Sequence, residues 1–193
     1  QGDSLRMTCD QIEYDGATKL AKAWGKVVLE RPDMNLKTDT LYLDRANSKA
    51  FYNSFGTIVD EKRKLTSIRG IYFMDEKKYR FISRVKIDDP EYLLNSQRLD
   101  YYTESDKAFF YGKTTIVGGE YDIYCEKGTY DTQFQRGNFQ ENAVIYYDNK
   151  EIRGDSLYFE NEKNYAAATN NISVIDTLNK SVINGHYGEI FKA

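Results

Sequence analysis

A chain of 193 residues with net charge -3, both signs interspersed and no basic block lacks the electrostatic footprint that a nucleic-acid binder needs. Seventeen tyrosines and ten phenylalanines against two prolines suit strands with one wet face and exclude disorder. No apolar run reaches the length of a membrane-spanning helix, and the opening Gln1-Gly2-Asp3-Ser4 is polar, so a leader removed ahead of the first repeat is expected.

In chain order the alternation of apolar and polar residues predicts strands throughout, joined by polar turns. The first ends with Gln11–Asp15, turns at Gly16-Ala17-Thr18, and returns over Ala21–Leu29 to Pro32-Asp33. Leu36–Asp44, a turn at Arg45-Ala46-Asn47-Ser48 and Ala50–Val59 form the second pair; Leu65–Met74 and Tyr79–Ile87 form the third. Leu93–Tyr102 with Ala108–Val117, Tyr121–Tyr130 with Gly137–Tyr147, and Ile152–Phe159 with Ala166–Ile175 follow, then a partial unit over Val182–Phe191.

These pairs repeat. Taking Tyr14, Leu43, Phe73, Tyr101, Tyr130, Phe159 and Glu189 as equivalent, the steps are 29, 30, 28, 29, 29 and 30 residues. Two residues earlier stand Ile12, Leu41, Ile71, Leu99, Gly128, Leu157 and Tyr187; seven earlier stand Met7, Leu36, Thr66, Leu94, Ile123, Ile152 and Val182. The pair between those columns is mostly polar, which predicts a slip of alternation, and Gly25, Gly56, Gly112, Asn142 and Asn171 predict bulges in the return strands. Bent strands stacked at this period give two facing sheets joined at creases, an elongated all-β roll of about seven two-strand repeats with apolar residues inside. Nothing in the middle breaks the repeat, so 1–193 reads as one domain.

Cys9 and Cys125 occupy one repeat column four units apart, roughly 40 Å at about 4.8 Å per strand, far beyond disulfide reach. Two free, buried thiols are expected. His186 is the single histidine, paired acids such as Asp88-Asp89 sit in turns, and no phosphate-binding glycine pattern occurs. No catalytic group, cofactor or metal site is therefore assigned.

Cys9-Asp10-Gln11-Ile12-Glu13-Tyr14-Asp15 followed by Ala23-Trp24-Gly25-Lys26-Val27, and Thr38-Asp39-Thr40-Leu41-Tyr42-Leu43-Asp44 followed by Ala50 and Phe55-Gly56-Thr57-Ile58, resemble a recurring motif pair. It is that of the OstA-like family, the lipopolysaccharide-transport proteins of the LptA type with the LptC periplasmic domain and the LptD N-terminal domain. The abundance of Asn and Tyr resembles Bacteroidetes members. The resemblance implies a twisted antiparallel β-jellyroll, incompletely closed, in the periplasm. Its interior would hold lipopolysaccharide acyl chains, and its end strands would pair head to tail with related jellyroll domains or with further copies of itself. On that reading the expected lipid-lining residues are Met7, Ile12, Trp24, Leu36, Leu41, Leu43, Ile71, Phe73, Leu94, Leu99, Ile123, Ile152, Leu157 and Phe159, along a seam open at both ends. The rival reading is a cell-surface or carbohydrate-binding β-repeat scaffold with Tyr42, Tyr72, Tyr102 and Tyr158 as outward sugar platforms.

Overall fold

Strand formation follows the alternation, and the computed structural model, which describes residues 6–32 and 34–191, has eighteen strands, all pairing antiparallel. They are β1 (Arg6–Thr8), β2 (Gln11–Asp15), β3 (Leu20–Glu30), β4 (Asn35–Asp44), β5 (Lys49–Tyr52), β6 (Gly56–Val59), β7 (Lys64–Ser67), β8 (Arg69–Phe73) and β9 (Lys78–Asp88). Then come β10 (Tyr92–Tyr102), β11 (Lys107–Gly118), β12 (Tyr121–Asp131), β13 (Arg136–Gln140), β14 (Val144–Tyr147), β15 (Lys150–Arg153), β16 (Ser156–Glu160), β17 (Tyr165–Asp176) and β18 (Ser181–Phe191). Gln1-Gly2-Asp3-Ser4 and Asp33, which the sequence placed at the start and in a turn, lie outside the described residues.

Each long run breaks once near its middle. Trp24 pairs with Thr40 and Val27 with Thr38, so two residues of β3 oppose one of β4; the same slip recurs between β10 and β11, β11 and β12, and β17 and β18. Where a run breaks fully, the halves part company: β5 pairs with β8 while β6 pairs with β7. Two half-sheets result, joined along a crease of bulges. Half-sheet I runs through β2, β5, β8, β13 and β16; half-sheet II runs through β1, β6, β7, β14 and β15; the long strands cross from one to the other.

Left-handed residues mark the crease at Gly25, Lys26, Phe55, Ser83, Arg84, Gly112, Glu141, Asn142, Asn170 and Asn171. Gly25, Gly112, Asn142 and Asn171 are as the sequence predicted. Gly56 is not left-handed, and its neighbour Phe55 carries that conformation. Gly56 is required for space instead, because a Cβ there would come within 2.3 Å of the Tyr52 ring. A second left-handed series at Lys19, Ser48, Lys77, Asp106, Gln135 and Asn164 closes the turns of half-sheet I every 29 residues.

That constant step corrects the third repeat. Gly70 pairs with Phe81 and Tyr72 with Tyr79, both on the inner face, which leaves Ile71 opposite Arg80 and Phe73 opposite Lys78 on the outside. The equivalent residues are therefore Tyr14, Leu43, Tyr72, Tyr101, Tyr130 and Phe159, and Leu65 replaces Thr66 in the column seven earlier. In β18, Ile183 pairs with Val174 and Ile190 with the buried Ala166, so Ile183 and Ile190, not Val182 and Glu189, continue the inner face. Apolar residues on both faces of β8 hide the phase from simple alternation.

The inner faces pack unevenly along the roll. In the C-terminal half Phe110, Tyr130, Phe139 and Phe159 are completely buried, and Tyr121 (tilted) and Tyr147 (edge-on) from half-sheet II pack against Phe159 of half-sheet I with centroids 4.6 and 5.5 Å apart. Glu91 and Gln135 bond between turns of opposite half-sheets, and the Tyr147 hydroxyl donates to Asn164 Oδ1 at 3.2 Å. The long edge opposite the crease is thus bridged in this half.

Candidate functional site

In the N-terminal half, counted in the same 29-residue steps, Ala23 stands where Phe110 and Phe139 do and Met34 where Tyr92 and Tyr121 do, so the inner faces do not meet across the gap. A cavity of about 450 Å³ remains, lined also by Met7, Ile12, Leu29, Leu36, Leu41 and Leu43. Met7 and Ile12 are exposed because β1 and β2 form the sheet edge, so the cavity reaches the first edge of the roll. Tyr52 forms part of its wall: the ring lies over Gly56 and Gly70, and its hydroxyl shares a 2.7 Å hydrogen bond with Ser67 Oγ. Burial pushes that phenol up to about 12, so it stays neutral at physiological pH.

A second chamber of about 330 Å³ adjoins it, sharing Arg31, Met34, Ile58, Tyr72, Tyr79 and Phe81, and is closed behind by Leu94, Leu99 and Ala108. Asp60 and Arg63 enter its lining from the β6–β7 turn. Arg63 Nε lies 3.2 Å from Asp60 Oδ2, and although burial opposes its charge, Asp60, Tyr101 and Tyr92 hold the guanidinium cationic. Arg31, Asp60 and Arg63 are the charged groups of this otherwise largely apolar lining. The arrangement can take up an apolar chain lengthwise and place one negative group beside Arg63; it offers no nucleophile with an adjacent base.

A family model described as OstA-like protein matches residues 1–97, just over half of the chain. The chain belongs to the OstA-like family. That accords with the resemblance carried by the Asp10–Asp15 and Asp39–Asp44 motifs, and the matched span contains every residue of the larger cavity. Among solved structures this OstA-like chain is similar to LptH of Pseudomonas aeruginosa, described as the LptA-homologous periplasmic component of the lipopolysaccharide transport device. The identity is 17%, the TM-score 0.47, and the match covers 52% of this chain and 76% of that one. No curated protein matches.

Of the fourteen residues expected to line the interior, Met7, Ile12, Leu36, Leu41 and Leu43 line the larger cavity through the inner face. Leu94 and Leu99 back the smaller one. Ile123, Ile152, Leu157 and Phe159 are on the inner face but belong to the filled half, so the seam is packed there rather than open at both ends. Ile71 contributes to the cavity wall from a strand position whose pairing faces it outward. Trp24 and Phe73 are misplaced by the sequence reading. Trp24 shares the outer face with Lys22, whose Nζ sits 4.9 Å from its ring, and Phe73 carries Lys78 at 4.7 Å. Size and uniqueness favoured Trp24, yet the face is fixed by parity with Ala23, which pairs with Leu41 inside. Missed by the sequence reading were Ala23 and Met34, which leave the space that Phe110, Phe139, Tyr92 and Tyr121 fill in the equivalent columns, and Arg63. Tyr72 points inward, against its assignment as an outward platform. Tyr42, Tyr102 and Tyr158 do point outward, each paired with a cross-strand aromatic: Phe51, Phe109 and Tyr165.

Both cysteines are free. Cys125 is buried, which pushes its thiol up to about 12, while Cys9, at the sheet edge between β1 and β2, is only half-buried.

Proposed function

We propose that this protein is a non-enzymatic lipopolysaccharide carrier of the periplasm, one domain that receives acyl chains in its N-terminal groove and passes them along a bridge of related jellyrolls. The observation that carries the reading is the apolar cavity reaching the β1–β2 edge, with Arg63 at the lip of the adjoining chamber. Taking a methylene to need the ~30 Å³ share of a water in the liquid, the larger cavity seats roughly one acyl chain of ordinary length. At about 0.8 kcal/mol per buried methylene, such a chain is held by many weak contacts, none of them a deep well, which suits a ligand that must move on. The phosphates of the head group would remain at the lip, within reach of Arg63.

Native mass spectrometry of protein purified from a lipopolysaccharide-producing host tests this. Adducts of lipopolysaccharide mass, displaced by added lipid A, are expected; a preparation that neither carries nor takes up lipid A would sink the proposal. The carbohydrate-scaffold reading gains nothing from Tyr42, Tyr102 and Tyr158, since their rings already serve cross-strand pairing.

A further inference from the structure

On the outside of the roll, along the crease and away from the groove, lies a broad shallow basin of about 1040 Å³. Its charged lining residues are Arg84, Lys86, Arg98 and Lys113, with no carboxylate among them, in a chain whose net charge is negative. Two exposed aromatic rings, Phe55 and Tyr111, complete the wall. Lys86 has only a loose partner in Asp88 at 3.7 Å. The Arg98 guanidinium stacks on Tyr111 at 4.5 Å, with Nη2 3.6 Å from Asp100 and a buried Nε that has no hydrogen-bond partner. Arg84 and Lys113 have no ion pair among the described residues.

The crease bulge sets two bulky residues at the same basin. Phe55 (φ 62°) and Arg84 (φ 52°) are held left-handed, where the equivalent crease positions in the last two bulges are Asn142 and Asn171. Asparagine tolerates that region; a bulky aromatic there is an outlier. Phe55 is kept in place by its N–H donating to the Ile68 carbonyl at 3.0 Å and by Thr38 Oγ1 donating to the Phe55 carbonyl at 2.8 Å. The bulge, which also holds Lys26 and Glu141 left-handed elsewhere along the crease, sets Phe55 and Arg84 among the residues that line the basin.

We infer that this basin binds an anionic oligosaccharide, its carboxylate or phosphate groups on Arg84, Arg98 and Lys113 and a sugar face on Phe55. A glycan is favoured over an acidic peptide because β9, β10 and β11 are paired on both sides here, which leaves no strand edge for a polypeptide to join. Recognition must go through rings and charges, and a saccharide supplies both. The site is independent of the lipid groove and stands or falls separately.

Calorimetric titration of the full chain with tetragalacturonate, maltotetraose and tetraglutamate tests the inference. Tetragalacturonate should bind at least tenfold more tightly than the other two, and Arg84→Asn with Lys113→Gln should remove at least tenfold of that affinity. Phe55→Gly should weaken binding severalfold while raising Tm by about 2 °C, and Arg84→Asn alone should raise Tm similarly, because each relieves the left-handed strain. Equal or tighter binding of tetraglutamate would assign the basin to an acidic polypeptide and overturn the glycan. Equal binding of maltotetraose, or no binding of any probe, would also overturn it, as would variants that lower Tm and leave affinity unchanged.

Discussion

Single groups in this core decide stability in both directions. Tyr121 and Tyr130 are buried and their hydroxyls bear on each other's ionisation, but the contact between them falls outside hydrogen-bond geometry and neither hydroxyl has another partner among the described residues. A buried hydroxyl without a partner forfeits its hydration, about 1–3 kcal/mol. Tyr130→Phe should therefore stabilise the protein by about 1 kcal/mol, read as a higher urea midpoint at unchanged slope; a lower midpoint would mean that the hydroxyl is satisfied. Asp100 is the opposite case. It is buried on the outer face, where Arg80 donates to it through Nε at 2.8 Å and Nη2 at 2.6 Å, with Arg98 Nη2 at 3.6 Å. Burial raises its pKa, but the two arginines more than offset that and hold the carboxyl below the usual aspartate value. A depressed folded-state pKa gives stability that is fully present above the unfolded value of about 3.9 and is lost as pH falls through the folded one. Asp100→Asn should cost about 2 kcal/mol at neutral pH, below the range for a fully buried pair because Arg80 retains contact with water. Repeating the denaturation under acid, below the folded value, should shrink the difference; a pH-independent gap would assign the loss to packing instead.

Strands here are read by parity, and parity is where sequence and structure part. On β4 the alternation is unambiguous: Leu41 is buried inside and Tyr42 stacks on Phe51 outside, as its polar neighbours indicate. On β3 the same parity, with Ala23 inside, turns Trp24 outward, where its ring lies under Lys22. Leu41→Asp should accordingly lower affinity for lipid A at least tenfold, since it removes ~1.5–3 kcal/mol of apolar burial and places a charge in the groove. Tyr42→Asp and Trp24→Asp should leave affinity within about twofold, as surface changes do. Titration of the three variants with lipid A checks the assignment, and a Trp24→Asp loss matching that of Leu41→Asp would return Trp24 to the lining. Strand order, the period and the crease were legible because glycine and asparagine announce left-handed positions at Gly25, Gly112, Asn142 and Asn171. Phe55, Ser83 and Arg84 take the same conformation without being types that favour it, so no compositional signal reveals them. In β8, apolar Ile71 and Phe73 on the outer face and Gly70 on the inner invert the usual cue, and the third unit slipped by one residue. The cavity was illegible for a different reason: space comes from what Ala23 and Met34 lack beside the Phe and Tyr residues of their columns, and a column of apolar residues looks alike whether it meets its neighbours or not.

At the scale of the whole molecule the roll has two ends of different character. The β1–β2 end is where the cavity emerges beside Met7 and Ile12; the β18 end closes over a filled core, with Ile183 exposed on its inner face. Neither β1–β2 nor β18 contains a proline, and Glu189 is the only carboxylate within the eleven residues of β18, so that edge is little blunted, whereas the β1–β2 edge is made of two short strands that carry Arg6, Glu13 and Asp15. Open edges of this kind accept a partner strand, and pairing β18 of one copy with β1–β2 of another would set a filled end against an open one, giving the groove a floor. Head-to-tail association that rises with concentration is the expected behaviour in sedimentation. Ile12→Lys and Ile183→Lys each put an inward-facing charge at the joint, costing about 3 kcal/mol or more if it is buried there without a partner, so each should weaken association about a hundredfold or more. The two variants separate assembly from cargo. Ile12 lines the cavity and Ile183 does not, so lipid A affinity should fall in Ile12→Lys and stay unchanged in Ile183→Lys. A wild-type chain that remains monomeric at every concentration, or association that survives both lysines, would remove the end strands from the mechanism; a loss of lipid binding in Ile183→Lys would instead place the cargo at the joint between copies.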